Sequence, residues 1–478
     1  MGHYLSLLLA LPVCGAAGVM CIPGRQIPTI RALARAVAAA TLLLALPLWT
    51  WYRPTNPEFQ LVERVGSIPM LGASYIVGID GISLMFVLLA ATLGLVATLL
   101  PLGAATGRIT GDDTGYYATL LMHEAALLGV FLSLDTLLFS VCWLVALLTM
   151  WRLASESGGG SGGGSGAWSG ARSRARAARF ARWSVVSFVA VLFGVVALAV
   201  LAHQANGANG FDLTVLQKLS ISSGPQAWIC ASFLVGFIVA MSLVPLRGWL
   251  PDTLADAPPG AAVMLSGMLV KVGAFGLVRF TLPLVPEAVR AASPYVAGLA
   301  IAGVVLTTIF AVRQTDWLGV VGYLTMSQAA LTLLGLMTLM PRAVTGGVVL
   351  AVTHGLASAA AIVAVGRVGA RLGTRDTAAL RGRRPVLSSA MAVASIVAVL
   401  SIASPIASRV HLPALKVAAR VDPRFEAEFL AACDTTVTPE LKAASAANQF
   451  LAAAPCGPDG TPLGSPALAP STSVTGAP

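Results

Sequence analysis

The sequence predicts an all-α fold, a polytopic transmembrane bundle of about twelve helices, and three observations predict it. The chain is 57% hydrophobic and only 10% charged, with a mean hydropathy of +0.83. That is more apolar surface than a soluble domain of 478 residues could bury. Apolar runs of up to about 20 residues, the length that crosses a hydrocarbon core of about 30 Å, recur from residue 4 to residue 405. Lys and Arg collect in the loops between these runs, which is the pattern of membrane topology. The net charge of +10 is therefore no nucleic-acid footprint.

The first run, Tyr4 to Met20, has a weak signal-peptide look, but only His3 precedes it and further spans follow. It reads as a retained first helix. Further helices are predicted over about 30–49, 80–102, 116–133, 135–152, 183–202, 226–246, 260–281, 294–311, 317–339, 344–366 and 385–405. The loop after the fifth helix carries Arg172, Arg174, Arg176, Arg179 and Arg182, and the loop after the eleventh carries Arg371, Arg375, Arg381, Arg383 and Arg384. The positive-inside rule makes these loops cytoplasmic in a cell inner membrane, with the N-terminus and the C-terminal tail outside.

Ser157 to Gly166 is a Gly/Ser linker, and the Arg-rich segment behind it is expected to lie along the anionic inner leaflet. No strand precedes those glycines and no Gly-Lys-Ser follows, so they are not a phosphate-cradling loop. The tail from residue 406 to 478 is expected to be extramembrane and partly disordered, with Ala, Pro, Ser, Thr and Gly dominating its end. Its Cys433 and Cys456 either pair in an oxidising compartment or stay as two thiols. Cys14, Cys21, Cys142 and Cys230 complete the set, and no pair has metal-ligand spacing. There is no Gly-x-Gly-x-x-Gly after a strand and no cysteine cluster for an iron-sulfur centre, so no cofactor is expected in this chain.

Ionisable groups inside spans cost about 2.5–3.5 kcal/mol each on insertion scales, which makes each a functional candidate. Lys271 lies deep in the eighth helix, too far from either end to reach water easily, and is expected to face the bundle interior. It either exchanges protons there or is a structural lysine held by a carbonyl or carboxylate. His354, in Thr353-His354-Gly355 of the eleventh helix, is either a relay group or a packing histidine. Glu124 lies within the fourth helix, while Asp135 and Asp80 stand at helix starts, where each can serve as a cap. The run Val244 to Asp252, with Pro245, Trp249, Pro251 and Asp252, breaks the seventh helix, and freed backbone at membrane depth must line protein or a water-filled cavity. Pro405 is a weaker break.

Several stretches, taken in order and spacing, carry a resemblance. They are Tyr75 to Ser83; Gly129 to Trp143 with Asp135 in step; Phe211-Asp212-Leu213; Trp249-Leu250-Pro251-Asp252 with Ala257-Pro258; Lys271 to Phe280; His354-Gly355; and Gly373 to Asp376. The chain resembles the antiporter-like membrane subunits of proton-pumping NADH-quinone oxidoreductase (complex I), those of the chain M type most of all. Relatives of these subunits occur in multisubunit sodium/proton antiporters and membrane-bound hydrogenases. The resemblance implies two inverted five-helix repeats with broken helices, here residues 111–252 and an incomplete 253–405 behind an N-terminal part, 1–110. It also implies a line of charged groups across the membrane, with Lys271 at its centre and His354 farther along. Glu124 and Asp135, read from the residues themselves, are the further proton-relay candidates. NADH, FMN, iron-sulfur clusters and quinone would then belong to partner subunits of a respiratory electron-transport complex.

The departures are equally specific. Leu144 stands where the family has a glutamate after the tryptophan, Ala240 where it has a lysine, Gln328 and Leu254 where it has histidines, and Arg247 where a histidine precedes Trp249 by two residues. The first half of the charge line looks deleted, and the last two spans look absent. A translocating subunit, a non-pumping structural subunit and a cation/proton antiporter component all remain open from the sequence.

Overall fold

The computed structural model describes residues 3–56, 58–68, 73–100, 113–155, 167–206, 210–243 and 249–372. The expected twelfth helix, the tail with Cys433 and Cys456, the linker Ser157 to Gly166, and Pro245, Arg247 and Pro405 lie outside these residues.

Within them the chain is a helical membrane bundle. Its long helices are α1 (Tyr4–Met20), α2 (Ile27–Ala45), α3 (Gly81–Leu99), α4 (Asp113–Leu132), α5 (Thr136–Ser155) and α6 (Ala167–Asn206). They continue as α7 (Ser223–Ala240), α8 (Pro259–Leu284), α9 (Pro286–Val312), α10 (Trp317–Met337) and α11 (Pro341–Leu372). Ten are long and apolar enough to span a membrane, and α1 is a shorter apolar helix. These eleven stand where the hydropathy pattern puts them.

Two features differ from the sequence reading. The Arg-rich segment is not a loop on a leaflet, because α6 begins at Ala167 and carries the arginines as helix. Alanine and arginine are strong helix formers, and the apolar run behind them supplies a nucleus. Two of these arginines also find acids on the short helix Trp249–Asp256: Arg176 lies 2.5 Å from Asp256 and Arg179 lies 2.7 Å from Asp252. The second difference is an antiparallel hairpin, β1 (Gln60–Ile68) with β2 (Ala73–Ile79), in a stretch with no predicted element. Two register shifts and a left-handed Gly66 interrupt its pairing, so its alternation is too irregular to read from sequence.

An isolated two-stranded hairpin is marginal in water, and this one is held by the helix ends beneath it. Val77 bridges Ser133, Leu134 donates to the Ile76 carbonyl, and Asp135 bridges Asp212. Glu63 of β1 is buried, and its carboxylate accepts from the amides of Leu5 (2.7 Å) and Ser6 (2.9 Å) and from the Ser6 hydroxyl. Because α1 has no capping side chain of its own at His3, the hairpin caps it from 57 residues or more away in sequence. Glu63→Ala should therefore destabilise the protein by about 1–2 kcal/mol, as loss of a helix cap does. Glu63→Gln should cost less, and amide exchange at Leu5 and Ser6 in the detergent-purified protein should quicken in the order wild type, Gln, Ala.

Candidate functional site

The site is built around α8, which is buried except for the half-buried Pro259 and Leu282 at its two ends. Small residues allow this. A Cβ at Gly273 would stand 2.6 Å from the Phe237 carbonyl of α7, and one at Gly267 would strike Leu93 of α3. Gly267 and Gly355 meet backbone to backbone, since a Cβ on Gly355 would lie 2.7 Å from the Gly267 oxygen. Close approach through glycine is the usual way helices pack tightly inside a membrane.

That contact brings α11 against α8 one turn from Lys271. The lysine Nζ donates to the Ser266 carbonyl at 2.9 Å and lies 3.1 Å from His354 Nδ1. A π-helical turn over Leu265–Leu269 makes the carbonyl accessible, because the Val270 amide bonds to Leu265 rather than to Ser266. The Ser266 hydroxyl pairs with Thr325 of α10 at 2.8 Å. A carbonyl thus anchors the amine, and a second titratable group stands at hydrogen-bonding distance from it.

The other candidates are not in contact with this pair. Glu124 is buried on α4 with its carboxyl pressed against Gly94 of α3. The adjacent Leu93 touches the Gly267 position, so α3 stands between Glu124 and the lysine helix. Asp135 caps α5, accepting from Leu137 (2.9 Å) and Leu138 (3.0 Å), and takes the Ser74 amide of β2 at 2.9 Å. Burial pushes its carboxyl up from the ordinary aspartate range, and the backbone donors oppose that shift. Trp249 and Pro251 belong to the short helix that follows the end of α7, and Pro251 packs on Gly322 of α10. Asp252 is engaged by Arg179 on the face that carries the arginines.

Leu144, at the family's glutamate position, is 36% exposed at the rim of the bundle, whereas Trp143 beside it is fully buried. Ala240 is the last residue of α7. Gln328 keeps its side-chain oxygen buried with no hydrogen-bond partner among the described residues.

Sequence reasoning passed over Arg279, although it lies in the quoted stretch Lys271 to Phe280. It is 4% exposed and forms a two-pronged ion pair with Asp80, at 2.9 and 2.7 Å, with a further bond to Ser83 at 2.6 Å. Its guanidinium also lies against the rings of Phe59 and Phe275. Asp80 meanwhile caps α3 through the Ser83 amide at 2.8 Å. The signal that could have found the pair is the cost rule itself: two opposite charges in apolar surroundings each need a partner.

A helical membrane bundle whose sealed central helix presents a lysine to a histidine defines the class as antiporter-like membrane subunits. The family described as NADH:quinone oxidoreductase/Mrp antiporter, TM, matches residues 165–408, and the chain belongs to it. It is 30% identical over 405 residues to NADH-quinone oxidoreductase subunit M of Escherichia coli K12, covering 81% of this chain and 77% of that one. It is 29% identical over 363 residues to NADH-ubiquinone oxidoreductase chain 4 of Arabidopsis thaliana, covering 76% and 69%. Its fold matches a chain of respiratory complex I from Thermus thermophilus with bound NADH, at a TM-score of 0.67 and 23% identity, over 87% of this chain and 86% of that one.

Two outcomes follow from this packing. Arg279→Met should leave Asp80 buried and unpaired, cost about 3–5 kcal/mol and sharply reduce the amount of protein in membranes. Adding Asp80→Asn, which keeps the helix cap, should recover part of that loss. Gly355→Ala should force α8 and α11 apart and lower stability by about 1–3 kcal/mol, read as a lower thermal midpoint in detergent.

Proposed function

We propose that this chain is a membrane-arm subunit of an NADH-quinone oxidoreductase and moves protons through Lys271 and His354, coupled to electron transfer in partner subunits. The observation that carries the reading is the 3.1 Å contact between the lysine amine and the histidine ring inside the bundle. A proton crossing that contact breaks one N–H bond on the ammonium and makes one on Nδ1, leaving a neutral amine and an imidazolium, with no electrons moved. The direction is set by whichever neighbouring charge changes, because each protonation state is stabilised by what faces it.

Glu124 belongs on this route and Asp135 does not, since the aspartate is committed to backbone donors at a helix start. NADH, FMN, iron-sulfur clusters and quinone are assigned to the partner subunits. The arginine face of α6 is assigned to the cytoplasmic side of a cell inner membrane, with the hairpin and N-terminus outside. The neutral Leu144 and Ala240 favour a second reading, a subunit that stabilises the membrane arm without pumping.

Proton pumping by the assembled complex in vesicles separates the two. Lys271→Met, with assembly intact, should lower the number of protons moved per electron. An unchanged ratio would favour the structural reading.

A further inference from the structure

The route through Lys271 and Glu124 leaves one buried group on α4 unexplained, His123, which stands next to Glu124 in the chain. His123 Nδ1 lies 2.9 Å from the Thr149 hydroxyl of α5. That hydroxyl already reaches the carbonyls of Val145 (2.7 Å) and Ala146 (3.0 Å). Threonine has one hydroxyl proton; with it on a carbonyl, the ring donates to Thr149 from Nδ1 and carries its lone pair on Nε2.

Nε2 is buried with no hydrogen-bond partner among the described residues, and the same holds for both oxygens of Glu124, the next residue. His123 and Glu124 are 0% and 1% exposed. Consecutive residues on a helix point about 100° apart, so the His123 ring lies on the α5 side of α4, with Nδ1 at Thr149, and the Glu124 carboxyl on the side of Gly94 of α3. Buried acceptors of this kind are satisfied in proteins by ordered water or by protons. The depth is also informative, since Leu93 and Gly94 put Glu124 level with Gly267, one turn from Lys271 on the other side of α3.

We propose that His123 and Glu124, completed by ordered water, form a proton-holding station in the half of the chain where positions 144 and 240 carry no charge. Its ligand is a proton delivered by water. Protonation of Nε2 makes an imidazolium, protonation of Glu124 makes a neutral acid, and one proton passes between them through water with no bond other than O–H and N–H made or broken. A change of charge at Glu124 then acts on Lys271 across the width of a single helix. This inference rests on the pumping reading for its purpose but not for its chemistry.

Infrared difference spectra of the assembled complex, oxidised against reduced, test it in ordinary and oxygen-18 water. The expected result is a carboxyl band that is lost in Glu124→Gln and shifted in His123→Leu, together with a water band sensitive to oxygen-18 that is lost in His123→Leu. His123→Gln serves where His123→Leu does not assemble, and should likewise shift the band. A carboxyl band that persists in Glu124→Gln, or one indifferent to both His123 substitutions, overturns the station. Intact bands together with an unchanged proton ratio in Lys271→Met would instead support the station and remove the pumping route.

Discussion

Everything in this bundle is constrained by the fact that α8 is sealed on every side. A helix with lipid on one face can turn an awkward polar group towards a headgroup; α8 cannot. Most of its polar side chains therefore take partners from its own backbone or from neighbouring helices, although Arg279 Nε and Thr281 Oγ1 have none among the described residues. Lys271 takes a carbonyl released by a π turn and a histidine from α11. Ser266 takes Thr325 from α10. Arg279, near the second π turn over Leu277–Thr281, takes Asp80 and Ser83 from the start of α3.

The Asp80–Arg279 pair ties the candidate site to the rest of the fold. Asp80 ends the hairpin and begins α3, so the ion pair joins the strand cap, the helix that separates Glu124 from α8, and the lysine helix itself. Such a pair adds little net stability over a well-packed apolar replacement, but it tolerates no partial loss. It fixes the register of α8 against α3. The Gly267 contact with Leu93 depends on that register.

Charge is distributed unevenly across the two halves. The second half keeps a lysine and a histidine in direct contact, while in the first half Leu144 is partly exposed and Ala240 is neutral. On α4 the first half retains His123, with its ring at Thr149 of α5, and Glu124, with its carboxyl against Gly94 of α3. A membrane interior does not hold such groups without compensation, and the proposed station takes water as that compensation.

The sequence by itself determined the helices and the class. Apolar runs are local, and a span needs only length and hydropathy, so the eleven long helices among the described residues were legible, as were the family motifs. Only the tertiary structure decided the partnerships. The hairpin escaped because its alternation is interrupted, and Glu63 as a cap for α1 escaped because donor and acceptor are far apart in the chain. Arg279 escaped because its partner, Asp80, is 199 residues away in the chain. The contact between Lys271 and His354 depends on two glycines, Gly267 and Gly355, whose role exists only when their backbones meet. Pairing across helices is a property of packing, and a residue's own neighbourhood in the chain carries no record of it.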